Sequence, residues 1–237
     1  THLLNALFTP LIAEVHRHGG SIVSFGGDAL TCWFPAPTSH PFPAGESGVR
    51  AAACAQAMLG HVAAFPGVDT PAGPLRLAIH IGIASGPVRR LCAGRPPHGL
   101  YDVLAGATIE RMAVAASRSG AGRVAVDQAT AVGLPETAWQ PLDEEFALLS
   151  GAPLPAPPPA AGRAGEIPAL STHQVRRWLA EPLYRRLRAG PRAFSAELRI
   201  VTSMFVRFAG LDYDGDPEVG DKLQRYIALA QEHLAPY

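Results

Sequence analysis

An α+β fold with a mainly antiparallel sheet and helices on one face is predicted by three features of the sequence. The first residues place apolar side chains at helical spacing, and two short apolar runs then flank a Gly-Gly-Asp. Further on, Leu75, Leu77, Ile79, Ile81 and Ile83 alternate with Arg76, Ala78, His80 and Gly82, as a half-buried strand requires.

Taken in order, Leu3, Leu4, Leu7, Phe8, Leu11, Ile12 and Val15 line one face of an N-terminal helix. Pro10 either kinks that helix or restarts it with Thr9 as cap. Gly19-Gly20 ends it, and Arg17 and His18 suit the negative end of its dipole. Residues 21–25 and 29–34 then form the arms of a β-hairpin around Gly26-Gly27-Asp28. A Pro-rich loop over 35–45 leads to the alanine-rich helix of "ESGVRAAACAQAMLGHVAAF" and to the alternating strand. "YDVLAGATIERMAVAASRSGAGRVAVD" reads as a strand, a turn at Gly106, a helix to about Ser119 and a strand over 123–126.

Residues 151–165, "GAPLPAPPPAAGRAG", have the composition of a semi-rigid linker. "STHQVRRWLAEPLYRRLRAG" predicts a basic helical pair broken at Pro182. Arg176, Arg177, Arg185, Arg186 and Arg188 read as a solvated face, because Trp178, Leu179, Leu183, Tyr184 and Leu187 supply a packing stripe. A strand over 199–208, an acidic turn and a helix from about Pro217 to Leu234 open a new unit, with too little chain to bury a second core. The expected division is therefore 1–150, 151–193 and 194–237.

Composition narrows the function classes. Twenty Lys and Arg balance 20 Asp and Glu, so no net field attracts nucleic acid or an acidic membrane. Cys32, Cys54 and Cys92 have neither CxxC nor zinc-ligand spacing and read as buried reduced thiols of a cytoplasmic protein. No apolar run approaches a membrane span. The start at Thr1, inside an amphipathic pattern and without Met, suggests a piece of a longer protein.

Asp28 has no other acid within ten residues on either side, which leaves two readings of the hairpin. Gly-Gly-Asp is a generic turn, chosen for backbone shape. A carboxylate on such a turn is also rigidly presented, as a magnesium ion sharing its shell with water and phosphates requires. Gly26 and Gly27 would then let phosphates approach the backbone beside Phe25.

A resemblance bears on that choice. "FTPLIAEVHRHGGSIVSFGGDALTCWFP", "LRLAIHIGIASGPV" and "YDVLAGATIERMAVAASRSGAGRVAVD" resemble, in order, segments of the class III nucleotidyl cyclase homology domain. The similarity runs from Thr1 to about Asp127, and more weakly to about Leu149. "LRIVTSMFVRFAGLDYDGD" resembles the opening of a second such domain, as in the tandem domains of soluble, bicarbonate-type adenylyl cyclases. The resemblance implies a ferredoxin-like class III cyclase fold whose first strand precedes Thr1. It implies that Asp28 is the second metal-binding aspartate, with Phe25, Gly26 and Gly27 near the nucleotide phosphates. The first metal aspartate would lie on the strand before Thr1.

Other family positions are altered. Ser24 replaces a frequent lysine tied to bicarbonate response, Glu110 stands at the transition-state asparagine, and Ala113 stands where an arginine is expected. Arg111 lies nearby but out of register. Arg207 replaces the metal aspartate of the second unit, and Asp212, Asp214 and Asp216 read as a solvated turn. Lys222 is assigned no substrate role.

The implied reaction turns ATP into 3′,5′-cyclic AMP and pyrophosphate with two Mg²⁺ (or Mn²⁺) ions, at an interface with a second cyclase domain of the same chain or of a dimer partner. The isolated 237 residues are accordingly expected to make no cyclic nucleotide. Diguanylate cyclases also carry Gly-Gly-Asp on a hairpin, but Glu-Phe normally follows there, where Ala29-Leu30 follows here. A degenerate module that binds nucleotide, dimerises or regulates is the other alternative, supported by Ser24, Glu110 and Ala113.

Overall fold

The computed structural model describes residues 2–36, 45–71, 73–155, 170–190, 204 and 206–234. In chain order the elements are α1 (His2–Arg17), β1 (Ser21–Gly26), β2 (Ala29–Trp33), α2 (Glu46–Ala64), β3 (Val68–Thr70), β4 (Gly73–Leu75) and β5 (Ile81–Ile83). Next come β6 (Arg89–Arg95), β7 (Gly99–Ala105), α3 (Ala107–Ser119), β8 (Val124–Asp127), α4 (Gln128–Ala131), β9 (Trp139–Pro141) and β10 (Phe146–Leu149). The last three helices are α5 (Thr172–Arg177), α6 (Glu181–Arg188) and α7 (Val219–Leu234). Two compact units emerge, one of Thr1–Pro87 with Thr108–Glu166, the other of Val88–Ala107 with Ile167–Tyr237.

The first unit is built on a four-stranded sheet in the order β5-β8-β10-β9. β5 runs parallel to β8, while β8 and β9 are both antiparallel to β10, so the sheet is mixed with antiparallel pairs in the majority. The α+β class stands, with a refinement in how the helices are placed. Along β8 and β10 the side chains alternate: Val124, Val126 and Ala147 pack with Ala52, Ala53 and Ala55 of α2. Ala125, Phe146 and Leu148 pack instead with Ala115 of α3. Helices therefore cover both faces rather than one, because successive strand residues point to opposite sides and every position of β8 is buried.

Small residues set the helix–sheet distances. A Cβ on Gly82 of β5 would stand 2.2 Å from the backbone nitrogen of Ala116, so α3 lies directly against the strand. The alternating stretch is shorter as a strand than predicted, since only Ile81–Ile83 meets a partner strand, β8. Gly73–Leu75 pairs instead with Val68–Thr70. Between them the alternation survives as burial, with Leu77 and Ile79 half-buried and Arg76, Ala78 and His80 exposed.

α1 continues through Pro10 without a break. Gly19, at φ +72°, closes it: Gly20 N–H donates to the Val15 carbonyl and Gly19 N–H to the His16 carbonyl, a Schellman closure. The first linker residues are held on α2, where Gln56 donates to the Ala152 carbonyl at 2.8 Å and accepts from Leu154 N–H at 3.2 Å. The rest of that Pro-rich stretch, 156–165, lies outside the described residues.

In the second unit β6 and β7 form an antiparallel ribbon that the sequence reading had only half seen, taking 101–104 but not Arg89–Arg95 as strand. The helical pair breaks at 178–180 rather than at Pro182, which sits in the first turn of α6 where its missing N–H costs nothing. Ser171 and Gln174 cap α5 reciprocally. Of the strand predicted over 199–208, residues 206–208 carry no strand pairing and 199–203 and 205 lie outside the described residues. The final helix, α7, forms as predicted.

Candidate functional site

The β1–β2 hairpin carries every residue to which the sequence reading gave a ligand role. Its pairing places Gly26 opposite Ala29, leaving Gly27-Asp28 as a two-residue loop. Gly27 has φ +66° and Asp28 a negative φ, the pattern of a type II′ hairpin turn, in which glycine takes the first loop position without strain. Between Ile22 and Ser24 the register slips by one residue, a bulge at Val23 that increases the local twist.

Phe25, Gly26, Gly27 and Asp28 are all exposed, so the turn is a projecting tip. A Cβ added at Gly26 or Gly27 would meet nothing within 4 Å, leaving the backbone open to a bulky group. The Phe25 side chain, 58% exposed, takes its one ring contact from Phe8 of α1, edge-on at 6.0 Å between centroids. Among the described residues no group of three or more His, Cys, Asp or Glu side chains is placed to hold a metal ion. Asp28 would offer one hard oxygen, a donor that suits an Mg²⁺ ion drawing most of its shell from water and phosphate and that falls short of a complete two-ion site.

Of the three thiols expected to be buried, Cys54 is buried, Cys32 is half-buried and Cys92 is exposed. Burial pushes the Cys32 thiol of β2 up to about 11 and the Cys54 thiol of α2 up to about 12, so neither serves as a nucleophile near neutral pH. Glu14 ties α1 to α2 through His61 Nε2 at 2.9 Å and also pairs with Arg17. Burial alone would raise the Glu14 carboxyl, but hydrogen bonds from His61 and Arg17 outweigh it and hold the group below its ordinary value.

The family-altered positions fall elsewhere. Glu110 and Ala113 are exposed on α3, and Arg111 is engaged beside them. Arg111 Nε donates to Asp127 Oδ2 at 2.9 Å, and its Nη2 to the Ser85 carbonyl at 3.2 Å. Asp127, 1% exposed, also accepts from Ser85 N–H, Thr130 N–H and Thr130 Oγ1, and so caps α4. The sequence reading passed over this network, although an aspartate ending an apolar strand with threonine three residues on is a readable cap signal.

In the second unit, the carboxylates of the Asp212–Asp216 turn are all hydrogen-bonded, consistent with its reading as a turn. Asp212 Oδ1 accepts from Asp214 and Gly215 N–H, Asp214 Oδ2 from Ala107 N–H, and Asp216 Oδ2 from Lys222 at 2.7 Å. Lys222 is thus occupied by Asp216, and Arg207 is exposed.

Comparison with solved structures identifies the architecture. The chain is similar to the catalytic core of a rhodopsin-guanylyl cyclase with converted specificity, solved with ATPαS, at 25% identity over 62% of this chain and 79% of that one, TM-score 0.52. It is similar, again at 25% identity and TM-score 0.52, to the dimeric guanylyl cyclase domain of the RhoGC fusion protein from the aquatic fungus Blastocladiella emersonii, over 62% and 81% of the two chains. The guanylate cyclase domain of RhGC from Catenaria anguillulae, in complex with GTP, matches at 26% identity over 61% and 80%, TM-score 0.51. The chain carries a class III nucleotidyl cyclase homology domain. No protein-family model matches this cyclase homology domain, and no curated protein does. Among its described residues no helix is long and apolar enough to cross a membrane.

Proposed function

We propose that the chain is part of an adenylate cyclase that closes the ribose 3′-hydroxyl of ATP onto its α-phosphate and releases pyrophosphate. The observation that carries this reading is the Gly27-Asp28 tip, a rigid exposed carboxylate beside open backbone, on a cyclase homology fold. Asp28 would hold Mg²⁺ (Mn²⁺ as substitute) against the triphosphate, and bound metal would supply charge neutralisation at the reacting phosphorus. Gly26 and Gly27 would accommodate phosphate oxygens at the backbone, with Phe25 alongside. ATP or a related nucleoside triphosphate is the expected ligand, since two of the similar cyclase domains were solved with ATPαS and with GTP. The second partner is a further cyclase domain, in tandem in the manner of the soluble bicarbonate-type enzymes or in a dimer, supplying the asparagine and arginine functions that Glu110 and Ala113 do not.

The test is an assay of full-length protein with ATP and with GTP, in Mg²⁺ and Mn²⁺ and with or without bicarbonate. Cyclic AMP formed by wild type and lost in Asp28→Asn is the expected result; near-normal turnover in that variant excludes a metal role for Asp28. Glu110 and Ala113 favour a second reading, a degenerate module that binds nucleotide without turning it over. Nucleotide binding with no cyclic product in either metal would select it.

A further inference from the structure

Arg50 is 1% exposed in α2, where the other buried residues are Gly48, Ala52, Ala53, Cys54, Ala55 and Val62. A buried guanidinium without a counter-charge is strongly unfavourable unless dipoles replace the lost water. Among the described residues Arg50 has backbone carbonyls as its partners: Nη2 donates to the Pro35 oxygen at 2.6 Å and Nη1 to the Gly19 oxygen at 3.4 Å. Its Nε, also buried, has no hydrogen-bond partner among the described residues. The head group is therefore seated for those two carbonyls at the expense of a third donor.

The two carbonyls are not arbitrary. Gly19 lies just past the end of α1, where the helix dipole is negative, so its oxygen sits in a region that favours a cation. It also stands two residues before the start of β1, while Pro35 stands two residues after the end of β2. One planar guanidinium thus spans both feet of the hairpin. Among the described strands β1 and β2 pair only with each other, so no neighbouring strand fixes the hairpin. The same base is closed by Gly20, where a Cβ would come within 2.7 Å of the Phe34 ring and 2.9 Å of Val15.

We propose that Arg50 is a positioning residue: it clamps the feet of the hairpin to α2 and thereby fixes the direction of the Gly27-Asp28 tip. The clamp follows from the contacts above; its consequence for metal binding rests on the proposed role of Asp28.

The experiment compares wild type with Arg50→Lys, which keeps the cation and loses the planar fork, and with Arg50→Met, which loses both. Amide hydrogen exchange of the 237-residue chain is read separately over 21–33 and over β8 and β10, and Mn²⁺ affinity is read by water-proton relaxation, with Asp28→Asn as control. The expected result is roughly tenfold faster exchange in the hairpin of Arg50→Lys, and more in Arg50→Met, with β8 and β10 unchanged. Mn²⁺ affinity falls roughly tenfold alongside. Should Arg50→Met fail to fold, Arg50→Lys decides. Unchanged hairpin exchange, or equal loss of protection in β8 and β10, overturns the clamp. A loosened hairpin with undiminished Mn²⁺ affinity overturns its link to the tip. Wild type that binds no Mn²⁺ overturns the link between the clamp and metal binding in this chain, and the exchange measurements then decide the clamp by themselves.

Discussion

Two sets of strands in the first unit use the same backbone geometry for opposite ends. β8 and β10 are covered on both faces, by α2 on one side and α3 on the other. The β1–β2 hairpin pairs with no other described strand, projects its tip from Ser24 to Ala29, and is held at its feet. The central sheet draws its rigidity from burial. The hairpin draws its rigidity from a tight turn and an anchored base, which leaves its one carboxylate accessible. An exposed turn and a core strand are therefore to be distinguished by where their constraints lie, not by strand content.

That contrast can be broken most sharply at Phe146. Phe146→Ala is expected to cost about 3–5 kcal/mol, read as a drop in the urea midpoint, because the ring is buried where α3 meets the sheet. Gly82→Ala should cost about 1–3 kcal/mol in the same measurement, since the new methyl meets the Met112 and Ala116 backbone rather than a movable side chain. Neither change is expected to alter metal binding per folded molecule. Acid should act next: the folded Glu14 carboxyl lies below its ordinary value of 4.5. Its stabilising contribution is then complete above that pH and is lost as pH falls through the lower folded value. Glu14→Gln should flatten this acid-side loss in a pH series of urea midpoints. Smallest on stability is Asp28→Asn, expected within about 0.5 kcal/mol of wild type because the side chain is exposed. The contrast sharpens if that nearly silent change still abolishes turnover, and fails if Asp28→Asn unfolds the hairpin.

How much could be read in advance depended on how local each signal was. Gly-Gly-Asp between two apolar runs declares its hairpin within fourteen residues, and the structure places the turn where it was expected. The two-sided burial of β8 was visible as an unbroken Val-Ala-Val run, which suits a strand covered on both faces, but the alternating pattern upstream drew the reading towards one. β6 was missed because "RRLCAGR" shows little apolar alternation and part of its support is remote: its pairing with β7 is local, as is the Arg90–Asp102 pair, but Gly94 and Arg95 are met by α7, more than 125 residues on. Arg50 escaped notice for the same reason. In an alanine-rich helix it looks like an ordinary solvated arginine, and its partners are two carbonyls 31 and 15 positions away. The glycine at 82 gave no sign of its role, since only the approach of α3 makes a side chain there impossible.

The meeting of α7 with the β6–β7 ribbon has a consequence for solubility. Gln224 both accepts from Gly94 N–H and donates to the Gly94 carbonyl, and Gln231 accepts from Arg95 N–H while donating to the Gly99 carbonyl. These backbone groups are the kind that a foreign strand would seize at the edge of an open ribbon. Two side-chain amides, seven residues apart on one helix, occupy them in the place of another strand. Without α7 the ribbon would present a template for stacking with copies of itself, so the helix serves as a guard against fibre-like association as well as a packing element.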